Sequence, residues 1–469
     1  MGRAPRAWLP VLVMALTVVA LTPAAPARAT PGAGLPPIKH VFVIVLENKG
    51  YNETFGFQSG SPYLSQTLPA MGALLPSYYG VTHESLGNYL ALVSGQGSNL
   101  STQADCPLFM NVIPGIIGTD GQALGLGCVY PRPVGTVADQ LTGAGLSWKG
   151  YMEDMGNTPG QPQTCRHPAL GTSDGTQAAR AGDEYATRHN PFVYFHSLLD
   201  SGACARNDVP LDRLPADLAS AGATPSYAFI TPNLCSDGHD PSCKGNGLPG
   251  GLPGIDRFLR AWVPRIVGSP AYRSGGLLAV VFDESDGSDA SACCGEPAFP
   301  GAPLTNGFIT PGPGGGRTGA VLLSPFIDPG TIDTVAYNHF TLLRSVEDLF
   351  GLAHLGYAGA SGLKSLGADA FTCYAARPTA RHGRLARGSL IKLAVIGQGT
   401  APRPMVEVKL WHRGVMRIAF PHRGRQELLT PKLELTPCQL VKIRAPYAHG
   451  TAAITVRALG GAERRTLSF

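Results

Sequence analysis

The chain has 469 residues, of which 44% are hydrophobic and 15% are charged, and its formal net charge is +5. This length exceeds one ordinary core and allows two domains, while the apolar content excludes an intrinsically disordered chain. The 60 glycines and 41 prolines form no periodic tract, which excludes a collagen-like repeat and indicates a loop-rich globular protein.

The first 29 residues have the pattern of a signal peptide. Arg3 and Arg6 precede an apolar run from Leu9 to Leu21, and Ala27-Arg28-Ala29 matches the small-x-small cleavage pattern. The run is short for a membrane span, and an uncleaved N-terminal anchor is the alternative. We therefore expect a secreted, extracellular protein.

Ten cysteines follow this segment, an even number that indicates disulfides in an exported chain. Zinc ligation is the alternative, but no C-x-x-C pair has partners at the spacing of a zinc finger. The pairing stays open, and proximity in the sequence suggests only Cys106 with Cys128 and Cys235 with Cys243.

Short apolar runs predict buried parallel strands at His40–Leu46, Tyr227–Thr231, Gly276–Phe282 and Gly319–Leu323. Amphipathic stretches between or beside them predict helices at Val137–Ala144, Ile255–Ile266 and Phe340–Phe350. This alternation predicts an α/β fold with a mainly parallel central sheet sandwiched by helices.

Three of these strands lead into polar side chains. Glu47-Asn48 follows the first, Asp237 and His239 follow the second, and Asp283-Glu284 follows the third. Ligands of open α/β sheets bind beyond the carboxyl ends of the strands. Carboxylates that meet there repel each other, and one divalent cation would be their shared counter-charge. Oxygen ligands suit Mg²⁺, Ca²⁺ or Mn²⁺, nearby histidines keep Zn²⁺ open, and capping of a turn is the structural alternative.

The segment Thr82–Gly95 predicts a helix with Ser85 at its N-cap, because apolar residues recur at helical spacing and Gly95 supplies a stop. A cap hydroxyl is ordinarily structural and contributes roughly 1 kcal/mol. The same position can also present an oxygen nucleophile where free backbone N–H groups and the helix dipole favour a phosphate.

The C-terminal part differs from the rest of the chain in its net charge and in its pattern of short β-rich runs. Residues 374–469 hold 17 basic and four acidic residues, a net charge of +13, whereas residues 30–373 have a net charge of −11. Short β-rich runs separated by turns predict a small β-sandwich-like domain, at Ile391–Ile396, Val406–Trp411, Val415–Phe420, Leu440–Arg444 and Ala452–Val456.

The predicted organisation is a signal peptide at 1–29, a larger domain at 30–373, a linker at 374–388 and a basic β-rich accessory domain at 389–469. The accessory domain could attract an anionic membrane or cell-wall surface, and docking onto the acidic larger domain is the alternative. No nucleic acid is expected, because no basic motif is studded with aromatic residues. A monomer is expected.

A series of motifs between roughly residues 38 and 355 resembles the bacterial phosphoesterase family that includes secreted acid phosphatases and phospholipases C. The motifs are His40–Gly56, His83–Tyr89, Trp148–Asp154, Arg188–Phe192, Thr231–Asn233, Asp237–Asp240, Phe282–Glu284, Asn338-His339 and Leu342–Asp348. The resemblance is closer to the compact acid phosphatases, and the basic C-terminal domain lies outside it. That family resembles the alkaline phosphatase superfamily, which implies an α/β sandwich and a covalent phosphoenzyme.

The resemblance also implies residue roles. Ser85 matches the nucleophile and Asn88 a donor to phosphate oxygens. The positions that match metal ligands are Glu47, Asn48, Asp283 and Glu284, with Ser85 completing the shell around one divalent ion. Asp237, His239 and His339 match a second ion's site in two-metal relatives, and in the acid phosphatase branch histidines replace that ion as a positive rim.

Two departures from the family pattern concern Ser85 and the phosphate. Glu84 and Gly87 stand where many relatives have Pro, which could alter how Ser85 is presented. The stretch Gly315–Gly319 lacks a His expected before the last strand, and Arg317 is predicted to contact phosphate instead, since its fork suits phosphate oxygens. His83 is a weaker candidate for the rim, and His189 and His196 are predicted to be structural.

The resulting hypothesis is a secreted metal-dependent acid phosphatase that hydrolyses phosphate monoesters through phosphoserine, with His339 or His239 as proton donor and phosphoinositides among its candidate substrates. A phospholipase C that cleaves phospholipid phosphodiesters is the alternative within enzymes. A non-catalytic secreted adhesin is the alternative from another class. No G-x-S-x-G elbow supports a serine esterase.

Overall fold

The computed structural model describes Gly2, residues 34–295 and 314–375, and mainly the strands between residues 391 and 468. The predicted signal peptide lies outside the described residues, except for Gly2. Of the predicted linker, only Tyr374 and Ala375 are described. None of the described helices is both long and apolar enough to cross a membrane.

The larger domain contains short strands, most of which belong to one sheet. The strands are β1 His40–Leu46, β2 Ala73–Leu75, β3 Tyr78–Tyr79, β4 Leu108–Phe109, β5 Ile113–Ile117, β6 Ala123–Leu126, β7 Trp148–Met152, β8 Thr172–Ser173, β9 Asp208–Pro210, β10 Tyr227–Thr231, β11 Gly276–Phe282, β12 Ala320–Leu323, β13 Thr331–Ile332 and β14 Tyr337–Asn338.

The α-helices of this domain range from one turn to five. They are α1 Tyr51–Phe55, α2 Leu68–Met71, α3 Ser85–Ser94, α4 Val137–Gly143, α5 His196–Leu199, α6 Ala203–Asn207, α7 Leu214–Asp217, α8 Gly251–Gly268, α9 Pro270–Arg273, α10 His339–Phe350 and α11 Thr372–Ala375. A π-helical turn covers Tyr63–Thr67, and short 3₁₀ turns include Thr187–His189 and Pro191–Tyr194.

The central sheet has eight strands in the order β13-β2-β12-β11-β1-β10-β7-β9. Strand β1 pairs in parallel with β10 on one side and with β11 on the other. Only β12 runs against its neighbours, β11 and β2, among the described strands of this sheet. The predicted mainly parallel α/β sheet is therefore confirmed.

Both faces of the sheet are covered by helices. Along β1, Val41, Val43 and Val45 join a core with helices α3, α4 and α10. The alternate residues Phe42, Ile44 and Leu46 join a second core with helix α8. Because side chains alternate across a strand, a strand buried on both faces must be apolar throughout. This explains the uninterrupted apolar run of β1.

The C-terminal part forms two antiparallel sheets. The first has three strands, β15 Ile391–Ile396, β16 Met405–Leu410 and β20 Leu440–Arg444. The second contains β17 Gly414–His422, β18 Arg425–Leu428, β19 Leu433–Leu435, β21 Thr451–Ala458 and β22 Gly461–Ser468. Val406 and Val408 of the first sheet share one buried cluster with Ile418 and Ile454 of the second. Two sheets around one core form a sandwich, as predicted.

All ten cysteines are paired in five disulfides. The pairs are Cys106–Cys128, Cys165–Cys204, Cys235–Cys243, Cys293–Cys294 and Cys373–Cys438. Both pairs suggested by proximity are present. The Cys373–Cys438 bond ties the C-terminal sheets covalently to the larger domain. A chain with this many disulfides is typical of oxidising compartments.

Candidate active site

Three carboxylates meet beyond the ends of the central strands. Glu47 follows β1 directly, Asp283 follows β11 directly, and Asp237 lies in the loop after β10; all three side chains are fully buried. The backbone N–H of Glu47 donates to the Asp237 carbonyl across 2.9 Å, which fixes the β10 loop against the end of β1. The predicted convergence at this edge of the sheet is thus observed.

Ser85 is the first residue of helix α3, and its hydroxyl reaches the same place. Its Oγ donates to Oε2 of Glu47 across 2.9 Å. One turn further along the helix, the Tyr89 hydroxyl donates to Oε1 of Glu47 across 2.6 Å. One helix thus supplies two hydroxyl donors to one buried carboxylate.

The N-cap of α3 is Glu84, one residue before the predicted position. No side chain of the N-cap residue closes this helix end. Instead, Oδ1 of Asp105 accepts a hydrogen bond from the Leu86 N–H across 2.9 Å. The Ser85 hydroxyl therefore serves no capping bond and points to Glu47.

His189 lies between two of the carboxylates, although the sequence indicated a structural role. Its Nε2 is 3.3 Å from Oε1 of Glu47, and its Nδ1 is 3.3 Å from Oδ2 of Asp237. One ligand atom from each of the three residues lies within 4.8 Å of the others. The ring of Tyr89 stacks on the imidazole at 5.2 Å between centroids, which fixes its plane. Glu47, His189 and Asp237 are a candidate metal centre.

The charges of this cluster are not balanced by the protein. Burial, followed by the neighbouring Asp283 and Asp237, raises the pKa of Glu47 well above its usual range. Burial also raises the pKa of Asp237 and lowers the pKa of His189. Oδ2 of Asp237 and Oδ2 of Asp283 have no hydrogen-bond partner among the described residues. Buried, unpartnered oxygens beside a neutral imidazole fit a divalent cation.

The remaining predicted metal ligands are arranged differently. Oδ1 of Asp283 accepts from the backbone N–H groups of Asn48, at 3.0 Å, and Glu284, at 2.6 Å. Oε2 of Glu284 contacts Nδ1 of His83 instead of the three-carboxylate cluster. Burial lowers and contact with Glu284 raises the pKa of His83, to about 9, while burial raises the pKa of Glu284 to about 8. The two side chains thus form a buried acid–base pair, which occupies Glu284 away from the other carboxylates.

His339 is fully buried, and both of its ring nitrogens are engaged. Nε2 lies 2.5 Å from the backbone carbonyl of Asp283, and Nδ1 lies 3.0 Å from the Tyr78 hydroxyl. Burial lowers the pKa of His339 to about 4, so its imidazole is neutral at mildly acid pH. This placement suits a residue that positions the end of β11 and disfavours His339 as the proton donor.

Asn88 uses the whole hydrogen-bonding capacity of its amide on the loop before Ser85. Its Oδ1 accepts from the N–H groups of Val81 and Thr82, at 2.9 and 3.2 Å. Its Nδ2 donates to the carbonyls of Thr82 and Glu84, at 2.8 and 3.2 Å. In this arrangement the amide shapes the loop that presents Ser85 and keeps no free proton for a phosphate oxygen.

The two remaining predicted contacts, His239 and Arg317, are both engaged with other groups of the protein. His239 is about one-third exposed; its Nδ1 lies 2.8 Å from Asp240, and its Nε2 lies 3.2 Å from the guanidinium of Arg188. Nε of Arg317 donates to the Pro76 carbonyl across 2.6 Å, and its guanidinium lies 4.0 Å from the ring centroid of Tyr51. Arg188 is therefore the cation that touches the histidine rim, a residue to which the sequence assigned no role.

Comparison with known sequences decides the family. The profile of the Phosphoesterase family matches residues 57–353. The chain belongs to the Phosphoesterase family. It is accordingly a phosphoric ester hydrolase, which favours the enzyme hypothesis over a non-catalytic adhesin.

Curated relatives of this phosphoesterase carry phosphatase names. It is 26% identical over 335 residues to a phosphatidylinositol-3-phosphatase of Mycobacterium tuberculosis, which covers 71% of this chain and 84% of the relative. A probable acid phosphatase of Kluyveromyces lactis is 26% identical over 68% of this chain and 59% of its own length. An acid phosphatase of Aspergillus fumigatus is 24% identical over 67% of this chain and 55% of its own length. The chain thus spans little more than half the length of the two acid phosphatases.

Similarity to solved structures is weaker. An alkaline phosphatase superfamily protein from Vibrio parahaemolyticus superposes with a TM-score of 0.40 at 11% identity, covering 89% of this chain and 83% of that one. A 2-O glycosaminoglycan sulfatase gives a TM-score of 0.41 at 11% identity, and the match covers 92% of this chain and 85% of the sulfatase chain.

Proposed function

We propose that this phosphoesterase is a secreted, metal-dependent acid phosphatase that hydrolyses phosphate monoesters through a phosphoserine at Ser85. The observation that carries the proposal is the 2.9 Å hydrogen bond from Ser85 Oγ to Glu47, inside a cluster of fully buried carboxylates. Ser85 is the first helical residue and not the N-cap, and the Leu86 N–H donates to Asp105, so the Ser85 hydroxyl has no capping role.

The residues that would hold the metal are Glu47, His189 and Asp237, with Asp283 and the Ser85 oxygen beside them. In support, Asp237 and Asp283 each keep a carboxylate oxygen without a hydrogen-bond partner among the described residues. A bound divalent cation polarises phosphate oxygens and lowers the pKa of a nearby hydroxyl. The sequence-based set with Asn48 and Glu284 is the wider alternative, and the identity of the ion stays open among Mg²⁺, Ca²⁺, Mn²⁺ and Zn²⁺.

The chain's own groups can accommodate two displacements at phosphorus. The Ser85 proton lies on the hydrogen bond to Glu47, so Glu47 is placed to accept it as the Oγ–P bond forms and the ester P–O bond breaks. The leaving alcohol takes a proton from His239, the partly exposed histidine of the rim, whose Nε2 exchanges its contact with the Arg188 guanidinium for the leaving oxygen. Water then attacks phosphorus, the same imidazole accepts its proton, and the Oγ–P bond breaks. Two inversions retain the configuration at phosphorus.

Replacement of Ser85 tests this proposal. We expect Ser85→Ala to lower turnover of p-nitrophenyl phosphate by about 1,000-fold or more, because the attacking oxygen is removed. Ser94→Ala is the matched control: Ser94 ends the same helix, is equally buried, and bonds only to backbone groups, donating to the Leu90 carbonyl at 2.7 Å and accepting from the Gln96 N–H at 3.3 Å. Circular dichroism and metal content should match wild type in both variants. Appreciable residual turnover by a well-folded Ser85→Ala protein would overturn the assignment.

We propose a monoester substrate, and a phosphoinositide phosphate as the natural one. The relative named a phosphatidylinositol-3-phosphatase, which matches over 84% of its own length, supports this choice. Phosphate release from phosphatidylinositol 3-phosphate, compared with phosphocholine release from phosphatidylcholine, separates this activity from a phospholipase C. Release of phosphocholine alone would replace the monoesterase with the phosphodiesterase.

Secretion is proposed on two grounds: the signal-peptide pattern of residues 1–29 and the five disulfides. N-terminal sequencing of protein from culture fluid should read from Thr30. Retention of the enzyme in the membrane fraction with an intact N-terminus would support the uncleaved anchor instead.

A further inference from the structure

The hairpin of strands β5 and β6 carries an exposed aliphatic face. Its register pairs Ile113 with Leu126 and Ile116 with Leu124, across an irregularity at Pro114. Cross-strand partners point to the same side of a hairpin, so these four side chains share one face. The exposed fraction is 64% for Ile113, 50% for Leu126, 62% for Ile116 and 40% for Leu124. We call Ile113, Ile116, Leu124 and Leu126 the aliphatic quartet.

The hairpin is held firmly in place. The Cys106–Cys128 disulfide closes its base. Near its turn, Gln96 donates to the Gly121 carbonyl across 2.7 Å, and Gln122 donates to the Gly95 carbonyl across 2.9 Å. The quartet is therefore a preformed surface, and its exposure is a property of the fold.

The same anchors connect the hairpin to the nucleophile. Asp105, next to the disulfide, accepts from the N–H of Leu86, the residue after Ser85. Gly95, to which the turn is bonded, ends helix α3. The segment next to the hairpin's disulfide thus contacts the start of the helix that begins with Ser85, and the hairpin's turn contacts the end of this helix, which is about 15 Å long. The hairpin and Ser85 therefore belong to one connected part of the larger domain.

The chemistry of this face suits a lipid bilayer. Asp120 in the turn is the single charged residue from Leu108 to Leu126. Two further exposed aliphatic residues, Leu100 and Leu108, precede the quartet in the chain. Ser101, next to Leu100, accepts a hydrogen bond from the Gly127 N–H. The Leu108 carbonyl lies near the sulfur of Cys106. Residues 374–469 add a net charge of +13, which complements an anionic membrane.

We propose that the aliphatic quartet inserts into the surface of an anionic membrane and presents the Ser85 site to phosphate monoesters in lipid headgroups. This inference rests on the proposed function for its consequence in catalysis. Membrane binding itself is measured without turnover, so the two can fail separately.

The test is vesicle flotation of the full mature chain. The probe is vesicles of phosphatidylcholine and phosphatidylserine, an anionic lipid without a phosphate monoester, and the variant is Ile116→Thr with Leu124→Thr. We expect vesicle affinity to fall by roughly tenfold or more, because two aliphatic side chains lose most of their burial in lipid. Turnover of soluble p-nitrophenyl phosphate should be unchanged. Ile332→Thr, at an equally exposed aliphatic position in β13, is the matched control and should bind as wild type.

A second measurement does not depend on loss of binding. Trp emission of an Ile116→Trp variant should be quenched by vesicles with brominated acyl chains more strongly than that of wild type. Equal vesicle affinity in the threonine variant and wild type would overturn the proposal. The proposal would also be overturned if wild type sedimented as a dimer and the threonine variant as a monomer, because the quartet would then be an interface between two copies of the chain. Vesicle binding without phosphate release from any monoester would instead refute the proposed function and leave the membrane site standing.

Discussion

Ser85 and Glu47 lie 38 residues apart in the sequence, yet a hydrogen bond of 2.9 Å joins the Ser85 hydroxyl to the Glu47 carboxylate. The contact exists because β1 ends at Leu46 and helix α3 packs against the sheet through Leu86 and Leu90. Both partners are buried, so rigid elements hold the proposed nucleophile and its acceptor in place. Such preorganisation suits a site that must present one oxygen to phosphorus.

Removal of the Tyr89 hydroxyl should impair catalysis without loss of the fold. Tyr89→Phe deletes the 2.6 Å donor to Oε1 of Glu47, and a buried carboxylate that loses a donor is destabilised by about 1–3 kcal/mol. We expect kcat for p-nitrophenyl phosphate to fall about tenfold with little change in KM. Tyr194→Phe is the control, because the Tyr194 hydroxyl has no hydrogen-bond partner among the described residues. Equal kcat in both variants would contradict the role of Tyr89.

His189 should be required for metal binding. The imidazole lies 3.3 Å from both Glu47 and Asp237, so His189→Gln removes the one nitrogen ligand of the candidate centre. We expect metal affinity to fall by roughly tenfold or more, measured by titration calorimetry on chelator-treated protein. His196→Gln serves as the control, because His196 lies on the surface between Asp200 and Asn111. A structural His189 would leave metal affinity unchanged and lower only the melting temperature.

Removal of the metal should destabilise the protein as well as inactivate it. Without a cation, the carboxylates Glu47, Asp237 and Asp283 stay buried together, and burial is the first cause of the raised pKa of each. We expect chelation to abolish phosphate release and lower the melting temperature by several degrees, since a ligand that binds only the folded state stabilises it. Re-addition of one divalent ion should restore both. Full activity after exhaustive chelation would exclude a metal-dependent mechanism.

Much of the fold could be predicted because the central strands are buried on both faces. The bounds of β1, β10 and β11 match the predicted apolar runs, since a strand covered on both faces needs apolar side chains on both. The antiparallel direction of β12 was not predictable, because apolar content does not encode direction. The pairing with β2 could not be predicted either, since β2 has only three residues and no clear alternation.

The site was only partly predictable. Glu47 and Asp283 could be found because they directly follow predicted strands, and the sheet fixes where strand ends lie. His189 follows no strand: a 3₁₀ turn brings it between Glu47 and Asp237. The Arg188–Phe192 motif was the one available signal for it. The contacts of His339 and Asn88 depend on side-chain directions that residue order does not determine.

The stability of the protein should depend on the pH through Glu347. Oε1 of this buried side chain accepts from the Leu355 N–H across 2.9 Å. Oε2 has no hydrogen-bond partner among the described residues, nor has Oε1 of Gln140, the neighbouring amide. Burial raises the pKa of Glu347 to about 9, so the folded protein keeps this carboxyl neutral at neutral pH.

The unfolded chain releases this proton at about pH 4.3, so the stabilising effect of the neutral carboxyl is complete below that pH and is lost as the pH rises towards 9. Glu347→Gln keeps a neutral side chain at every pH. We therefore expect the free energy of unfolding of the variant, relative to wild type, to increase by about 4 kcal/mol from pH 5 to pH 8. Urea titrations at both pH values measure this, and Glu53→Gln, at an exposed position on α1, should show no such difference. A constant offset between Glu347→Gln and wild type at the two pH values would show that Glu347 has the same charge in the folded and unfolded states.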